Sequence, residues 1–476
     1  TLSPYRRAPA EISTLCSKDA VVSRGLSRRT TGMGKHPLVE AALCGTAALG
    51  FWLASRVVRY RRRKQGTFLD PDFVPFDVRS GLTRLRKRGD REWRWAFLSC
   101  GRVAHDFANA LKTVDGAVLH VVATRDESQL ARAHAFARAH GFDNAVGTYA
   151  EALKDPDVDV VYLSAMHSDR VTHVTQILNA GKHVLVEKPL ACNFKDAEKL
   201  VALAKEKKLF LMEGMWTRFF PAVEKARELM ESGVIGAVTG VMSDFAFDAG
   251  DVGNYPSDLT NTCSGDPIYH KAIGGGALLW AGPYPLAAGM LPFREAPLTI
   301  AAAGVTDPMT NVELSCAVTL TYDKPGGAYT APRETGCPPR GATVSCYTAV
   351  DAASSETTTY IGTHGRIIIQ SPGHCPTKLS VSLKGRGRNA KAAFDFEYAF
   401  PRMAWSARRI GKRLSIFQQQ PFFYYPNSNG FCYEAAALQR CLEAGLTEAP
   451  QYTNEECLRT LKTIDEAKRL MAARLP

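Results

Sequence analysis

Short apolar runs alternate with helical patterns between residues 91 and 215. Apolar residues occupy consecutive positions in the runs, which is typical of strands buried on both faces of a parallel sheet. The predicted strands are 93–98, 118–124, 158–164, 183–187 and 209–214, and the predicted helices include 129–140, 171–180 and 194–207. Strand and helix in regular turn predict a doubly wound α/β sheet with helices on both faces.

The pattern changes after residue 216, where strands follow one another with few helices between them. The predicted strands are 238–247, 298–305, 312–323, 357–361, 365–370 and 379–383, and helices are predicted at 433–443 and 454–473. Strands without intervening helices indicate a mostly antiparallel sheet. Residues 216–476 are therefore predicted to form an α+β domain, with the two C-terminal helices packed against the rest of the protein.

A third pattern lies near the N-terminus, where residues 38–58 are apolar except for Glu40 and Arg56. As a helix this stretch spans roughly 31 Å, enough to cross the hydrocarbon core of a bilayer. We predict a single transmembrane helix at 37–60; a buried helix of a soluble protein is the alternative. The basic cluster at 59–64 predicts that the large C-terminal part lies on the cytosolic or matrix side.

The charge of the chain, +12 overall, is concentrated before residue 91. Residues 1–90 hold 18 Lys and Arg against 7 Asp and Glu, whereas residues 91–476 hold 41 against 40. The basic charge therefore belongs to a tail at 1–36 and a linker at 61–90, which argues against nucleic acid as a partner.

The tail combines Arg and Lys with many Ser and Thr residues, as organellar targeting sequences do; a basic tail without this role is the alternative. We expect the inner mitochondrial membrane with the C-terminal part in the matrix, or another intracellular membrane with that part in the cytosol. The 12 cysteines form no Cys-x-x-Cys pair, so we expect no metal site.

A candidate cofactor site follows the first strand, in the sequence Ser99-Cys100-Gly101-Arg102-Val103-Ala104. Strand, tight turn and helix in this order are typical of a dinucleotide-binding fingerprint, with Gly101 where the backbone must approach the pyrophosphate. The second strand ends at Arg125 rather than at an acidic residue, which favours a 2′-phosphate and hence NADP(H) over NAD(H). A solvated arginine at the start of a helix is the alternative.

A candidate for ligand chemistry is the lysine of Glu187-Lys188-Pro189. The triplet follows a buried strand, and open α/β sheets bind ligands at the carboxyl ends of their strands. The proline keeps Lys188 out of helical conformation. We therefore expect the lysine to face a ligand.

Together these residues resemble the glucose-fructose oxidoreductase / inositol dehydrogenase (Gfo/Idh/MocA) family, and within it the branch of dimeric dihydrodiol dehydrogenases, also known as NADP-dependent xylose dehydrogenases. The motifs that carry the resemblance are 99–107, 181–189, 213–221, 274–279, and 425–428 with Gly430, Tyr433 and Glu434. The resemblance implies a Rossmann domain followed by a domain whose open sheet forms a homodimer face, with NADP(H) in the cleft between them.

The resemblance also implies roles for individual residues. Lys188 and Tyr284 are the expected catalytic pair, in which the ammonium lowers the pKa of the tyrosine and the phenol transfers a proton as hydride moves. The expected cofactor-binding residues are Ser99, Gly101, Arg102, Val103, Arg125, Glu187, Lys188 and Pro189. Aromatic side chains are expected to line the substrate pocket at Trp216, Phe245 and Trp280.

One position departs from the family pattern, because Trp280 stands where the family has an aspartate that orients the substrate and the lysine. An indole is far larger and accepts no hydrogen bond, so it could fill the pocket. Two functions follow from the sequence. The first is a membrane-anchored, NADP(H)-dependent oxidoreductase acting on a sugar, a diol or a small carbonyl compound. The second is a catalytically impaired accessory subunit of a mitochondrial or other organellar membrane complex.

Overall fold

A computed structural model describes residues 91–249, 267–327, 341–384, 392–400 and 423–473. The predicted basic tail (1–36), transmembrane helix (37–60) and basic linker (61–90) lie outside these ranges. In the part of the chain that the structure describes, no helix combines the length and the apolar character needed to cross a membrane.

The first domain is built on a six-stranded parallel sheet in the order β3-β2-β1-β4-β5-β6. Its strands are β1 (Trp93–Leu98), β2 (Ala117–Ala123), β3 (Asn144–Val146), β4 (Val160–Leu163), β5 (His183–Glu187) and β6 (Leu211–Gly214). Its helices are α1 (Arg102–Leu111), α2 (Leu130–His140), α3 (Tyr149–Lys154), α4 (Arg170–Asn179) and α5 (Phe194–Lys207). The strand order reverses between β1 and β4, and doubly wound sheets bind dinucleotides at this reversal.

Aromatic side chains fill the core of this domain between the sheet and α1. Phe107 stacks on Tyr162 with ring centroids 4.0 Å apart, and Phe97 contacts both rings at 5.7 and 5.0 Å. All three side chains are almost fully buried. This packing fixes α1, and with it the turn between β1 and α1, against the carboxyl end of the sheet.

The second domain contains an eight-stranded sheet in the order β14-β13-β12-β11-β7-β10-β9-β8. Its strands are β7 (Val238–Ala246), β8 (Thr299–Thr306), β9 (Glu313–Tyr322), β10 (Ala342–Ala349), β11 (Thr358–Gly362), β12 (Gly365–Ile369), β13 (Lys378–Leu383) and β14 (Ala392–Glu397). All neighbours pair antiparallel except β7 and β10. The predicted fold class, a Rossmann domain followed by a mostly antiparallel sheet, is confirmed.

Helices cover one face of the second sheet. They are α6 (Pro221–Glu231), α7 (Ala277–Trp280), α8 (Pro283–Met290) and α10 (Asn454–Ala472); α9 (Phe431–Glu443) lies between the last two in the chain. Helix α8 packs on β7 and β10, α10 packs on β8, and α9 packs on α1 of the first domain. The opposite face carries exposed apolar residues, including Met242, Tyr347 and Ile361, which are 60, 41 and 40% exposed. Among the described residues, helices thus cover this sheet on one side only.

Candidate active site

The turn between β1 and α1 has the geometry of a phosphate-binding site. Gly101 is the N-cap of α1, and as a glycine it has no side chain with which to cap the first turn of this helix. A Cβ atom added at Gly101 would meet only the Ser99 hydroxyl, at 3.7 Å, so the space above the turn is open. Uncapped amides at a helix N-terminus bind anions, and a glycine lets a phosphate approach the backbone closely. The turn therefore fits the pyrophosphate of a dinucleotide.

Arg125 lies beyond the carboxyl end of β2, the position at which dinucleotide folds recognise the adenosine ribose. Its side chain is 62% exposed, and its guanidinium lies 3.5 Å from the carboxylate of Asp169. An exposed arginine in a long ion pair can turn to a phosphate at little cost, since surface ion pairs contribute little energy. The position of Arg125 fits a 2′-phosphate contact.

Lys188 follows β5 directly and points toward the second domain. Its Nζ atom donates a hydrogen bond of 2.7 Å to the main-chain oxygen of Trp280 and lies 4.9 Å from the centre of the Tyr284 ring. Burial lowers the pKa of Lys188 to about 8. The positive charge of Arg170 lowers this pKa further, whereas the negative charge of Glu187 raises it. The ammonium form is therefore less stable here than in a solvent-exposed lysine.

Tyr284, in the first turn of α8, is adjacent to this lysine. Its hydroxyl oxygen accepts a 3.2 Å hydrogen bond from the indole N–H of Trp216. Burial, together with the charge of Glu187, raises its pKa well above the ordinary value, and the bond from Trp216 opposes this only in part. The expected lowering of this pKa by Lys188 is wrong for the structure, because the ammonium lies over the ring and bonds to Trp280 rather than to the phenol oxygen. The phenol is a proton donor at neutral pH, and Trp216 leaves its proton free for a ligand.

The main-chain oxygen of Trp280 contacts the lysine, whereas its indole packs apart from the other predicted pocket residues. Its N–H donates to the oxygen of Gly274 at 3.1 Å, and its ring packs on His167 at 4.7 Å. No ring contact within the described residues joins it to Trp216, Phe245 or Tyr284. The family's aspartate at this position is absent, but the main-chain oxygen of Trp280 takes over one of its roles, because it accepts a hydrogen bond from Lys188.

The other aromatic residues predicted for the pocket lie close together. Phe245, on β7, contacts Tyr284 edge-on at 4.9 Å, and Trp216 stacks on Phe431 at 4.2 Å. Sequence reasoning did not find His374, whose ring lies 4.5 Å from Phe245 and 5.6 Å from Tyr284. An isolated histidine in a loop carries no signal in one sequence, so only the folded structure shows that it contacts Phe245 and Tyr284.

The motif at 425–428 connects the second domain to α1. The buried carboxylate of Asp106 accepts hydrogen bonds from the main-chain N–H groups of Tyr424 and Tyr425 and from the Ser428 hydroxyl, at 2.9, 3.0 and 2.7 Å. The Asn427 side chain donates to the oxygen of Cys375, next to His374, at 2.8 Å. This motif therefore links the cofactor-binding helix to the pocket.

Three features define the class of dinucleotide-dependent two-domain oxidoreductases. They are a strand order that reverses at β1, an uncapped turn before α1, and a Lys-Tyr pair between the two domains. Residues 93–215 match an oxidoreductase family with an NAD-binding Rossmann fold, and residues 223–368 match the GFO/IDH/MocA C-terminal domain. The chain belongs to the glucose-fructose oxidoreductase / inositol dehydrogenase (Gfo/Idh/MocA) family. The predicted family and its nicotinamide dinucleotide cofactor are confirmed.

Relatives of known activity include two vertebrate trans-1,2-dihydrobenzene-1,2-diol dehydrogenases. The enzyme from Sus scrofa is 31% identical over 384 residues, covering 80% of this chain and 98% of its own length. The enzyme from Danio rerio is 30% identical over 378 residues, covering 79% of this chain and 96% of its own length. The predicted dihydrodiol dehydrogenase branch is confirmed by these relatives.

Two solved structures share the fold at lower identity. One is a 3-ketoreductase from Actinomadura kijaniata in complex with NADP and TDP-benzene, 22% identical with a TM-score of 0.58. The other is an aldose-aldose oxidoreductase from Caulobacter crescentus, 21% identical with a TM-score of 0.59. Each match covers 80% of this chain and 98% of the other. At such identities the matches establish the fold alone.

Proposed function

We propose that the protein is an NADP(H)-dependent oxidoreductase that interconverts a hydroxyl group and a carbonyl group in a sugar, a diol or a small carbonyl compound. The observation that carries the proposal is the pairing of Lys188 and Tyr284, 4.9 Å from ammonium to ring centre, at the carboxyl end of the Rossmann sheet. The activity of the dihydrodiol dehydrogenase relatives supports a diol among the substrates.

The residues around the pair indicate how the reaction proceeds. Bound nicotinamide supplies or accepts the hydride. Tyr284 donates its proton to the substrate oxygen in the direction of reduction and accepts it back in the direction of oxidation. Lys188, held by the Trp280 oxygen, places a positive charge beside the oxygen that becomes negative, and Trp216 keeps the phenol in the correct orientation. Phe245 and Trp216 supply apolar surface for the carbon skeleton.

A turnover screen of the purified full chain tests this proposal. The consumption of NADPH is measured with aldoses and α-dicarbonyl compounds, and the formation of NADPH from NADP with vicinal diols. We expect turnover with at least one of these classes. Binding of NADPH without any turnover across the whole panel would contradict the proposed activity.

The cofactor preference is expected to depend on Arg125. Replacing Arg125 by alanine should raise the KM for NADPH by about 10- to 100-fold, because a charge-assisted contact to the 2′-phosphate is lost. The KM for NADH should change little, since NADH lacks this phosphate. Steady-state kinetics with both cofactors measure the effect. Arg138→Ala, which removes an exposed arginine at the other end of α2, is the matched control; an equal change in both variants would exclude a specific contact.

The accessory-subunit function lacks a comparable observation. Its main argument was that the indole of Trp280 could fill the substrate pocket. In the structure that indole packs on His167 and bonds to Gly274. Within the described part of the chain, nothing favours this second function over the first.

We further propose that residues 38–58 anchor the enzyme in an organellar membrane, with the mitochondrial inner membrane as the first candidate and the catalytic part on the matrix side. The apolar stretch and the basic cluster at 59–64 support this proposal. Release of the protein from isolated membranes by alkaline carbonate would contradict it.

A homodimer through the open face of the second sheet is also proposed. The exposed apolar side chains of Met242, Tyr347 and Ile361 on this face support it, because soluble monomers rarely expose such residues together. The mass in solution, measured by light scattering, should then be twice that of the chain; a monomer across a wide concentration range would exclude it.

A further inference from the structure

We propose that His374 binds a hydroxyl group of the substrate on a carbon next to the reacting one, and thereby selects vicinal diols and 2-hydroxycarbonyl compounds. The inference rests on the proposed function, because it concerns the substrate of the same site. His374 is adjacent to two of the predicted pocket residues and to the proposed proton donor: its ring centroid is 4.5 Å from that of Phe245, 6.0 Å from Trp216 and 5.6 Å from Tyr284. A ligand oxygen on Tyr284 therefore has its neighbouring groups close to this imidazole.

The ring of His374 is held in place by Glu356. Its Nδ1 atom lies 2.9 Å from a carboxylate oxygen of Glu356, and the Gly373 main-chain N–H donates to the Glu356 main-chain oxygen at 2.7 Å. A Cβ atom added at Gly373 would come within 2.5 Å of that oxygen, so only glycine permits this approach. Two hydrogen bonds thus connect the loop after β12, which contains His374, to the loop before β11, which contains Glu356.

Glu356 is in turn fixed by Asp244, which precedes Phe245 on β7. The carboxylate of Asp244 accepts hydrogen bonds from the main-chain N–H groups of Glu356 and Thr357, at 2.7 and 3.2 Å, and from the hydroxyl of Ser355. Glu356 itself adopts a left-handed conformation, with φ of 51°. Non-glycine residues persist in this region only where the surroundings hold them. The support of His374 is therefore rigid, as a residue that orients a substrate requires.

The partners of the imidazole determine what it recognises. A carboxylate only accepts hydrogen bonds, so Glu356 places the proton of a neutral imidazole on Nδ1 and leaves a lone pair on Nε2. The partner of Nε2 is the Cys375 thiol, with Sγ at 3.3 Å. A thiol is a weak donor that a substrate hydroxyl can replace. The imidazole thus accepts a hydrogen bond and favours a hydroxyl over a second carbonyl group.

Equilibrium binding distinguishes this inference from the proposed activity. The probes are trans-cyclohexane-1,2-diol and cyclohexanol, which share a ring and differ by one hydroxyl group. Their Kd values are measured by calorimetry with the full chain saturated with NADPH, because a reduced nicotinamide cannot accept hydride from an alcohol and the complex does not react. The wild-type protein should bind the diol about 10-fold more tightly than the monoalcohol, the contribution of one well-placed hydrogen bond. His374→Phe, which keeps an aromatic ring, should remove this preference, and His374→Gln, which keeps an acceptor, should restore part of it.

His364→Phe is the matched control, because it makes the same replacement in an exposed turn, and it should preserve the preference for the diol. Thermal unfolding and NADP affinity of His374→Phe check that this variant is folded. Equal affinity of the wild-type protein for the two probes, failure of the diol to bind, or an unchanged preference in folded His374→Phe would each overturn the inference. Failure of turnover in the substrate screen would instead overturn the proposed activity. The binding measurements would still show whether His374 recognises the second hydroxyl group.

Discussion

Replacing Lys188 by methionine is expected to reduce kcat by about 100- to 1,000-fold, whichever substrate the screen identifies. Methionine keeps the apolar stem of the side chain but removes the ammonium that the Trp280 oxygen holds beside Tyr284. A fixed donor or charge directed at an oxygen that becomes negative in the transition state typically contributes this factor. Turnover is measured with NADPH at saturating substrate, and NADPH affinity is measured separately by fluorescence titration.

Lys199→Met is the control for this loss, because Lys199 lies on α5 with its side chain 73% exposed and should have no influence on kcat. NADPH binding should survive in Lys188→Met, since the turn before α1 and Arg125 are unchanged. Retention of kcat within a few-fold in Lys188→Met would contradict the catalytic role.

The pH dependence of the wild-type enzyme should reflect the same residue. Burial lowers the pKa of Lys188 to about 8, so its positive charge is present below that pH and is lost above it. The rate constant kcat/KM of a reaction that requires this charge therefore falls as the pH rises through about 8. A profile that stays level from pH 7 to pH 9.5, well above the pKa, would contradict a requirement for the ammonium.

The second large effect is expected from Asp106→Ala, which should lower the free energy of unfolding by about 3 kcal/mol or more. The Asp106 carboxylate is fully buried and accepts three hydrogen bonds from the segment at 424–428. Alanine leaves these donors without their acceptor inside the protein, and it removes one of the links between α1 and the second domain. Urea unfolding followed by circular dichroism measures the change.

Asp157→Ala is the control for stability, because the Asp157 side chain is 63% exposed and its ion pair with Arg94 should contribute less than about 1 kcal/mol. Asp106→Asn keeps one acceptor oxygen, so its free energy of unfolding should lie between those of the wild-type protein and the alanine variant. Equal stability of Asp106→Ala and Asp157→Ala would show that the link between α1 and this segment contributes little.

Local sequence signals predicted the first domain well. Helix α5 has the predicted bounds, 194 to 207, because Asn193 caps its first turn and Lys208 ends it in the left-handed conformation. Five of the six strands of the parallel sheet are largely apolar runs, and they were predicted within two residues of their observed ends; the three-residue strand β3 was missed. In such elements the information lies within a few positions along the chain.

Elements that depend on distant partners were missed. Strand β10 (Ala342–Ala349) alternates buried and exposed positions, and its buried side chains are small except for Val344. It forms a strand because β7 and β9 pair with it. Helices α7 and α8 were missed because glycine and proline at 282, 283 and 285 resemble a loop. The packing of the Trp280 ring and the pairing of His374 with Glu356 depend on tertiary contacts over many residues, and such contacts leave no local pattern.

The hydrogen bond from Lys188 to residue 280 has a consequence for how the site can change during evolution. If the lysine were held by the side-chain carboxylate of an aspartate, a single codon change could remove its hydrogen-bond acceptor. Here the acceptor is the main-chain oxygen of Trp280, and every amino acid has that atom. Mutation at codon 280 can therefore change the side chain that packs on His167 without removing the lysine's acceptor. The contact that holds Lys188 in place is thus insensitive to which amino acid stands at position 280.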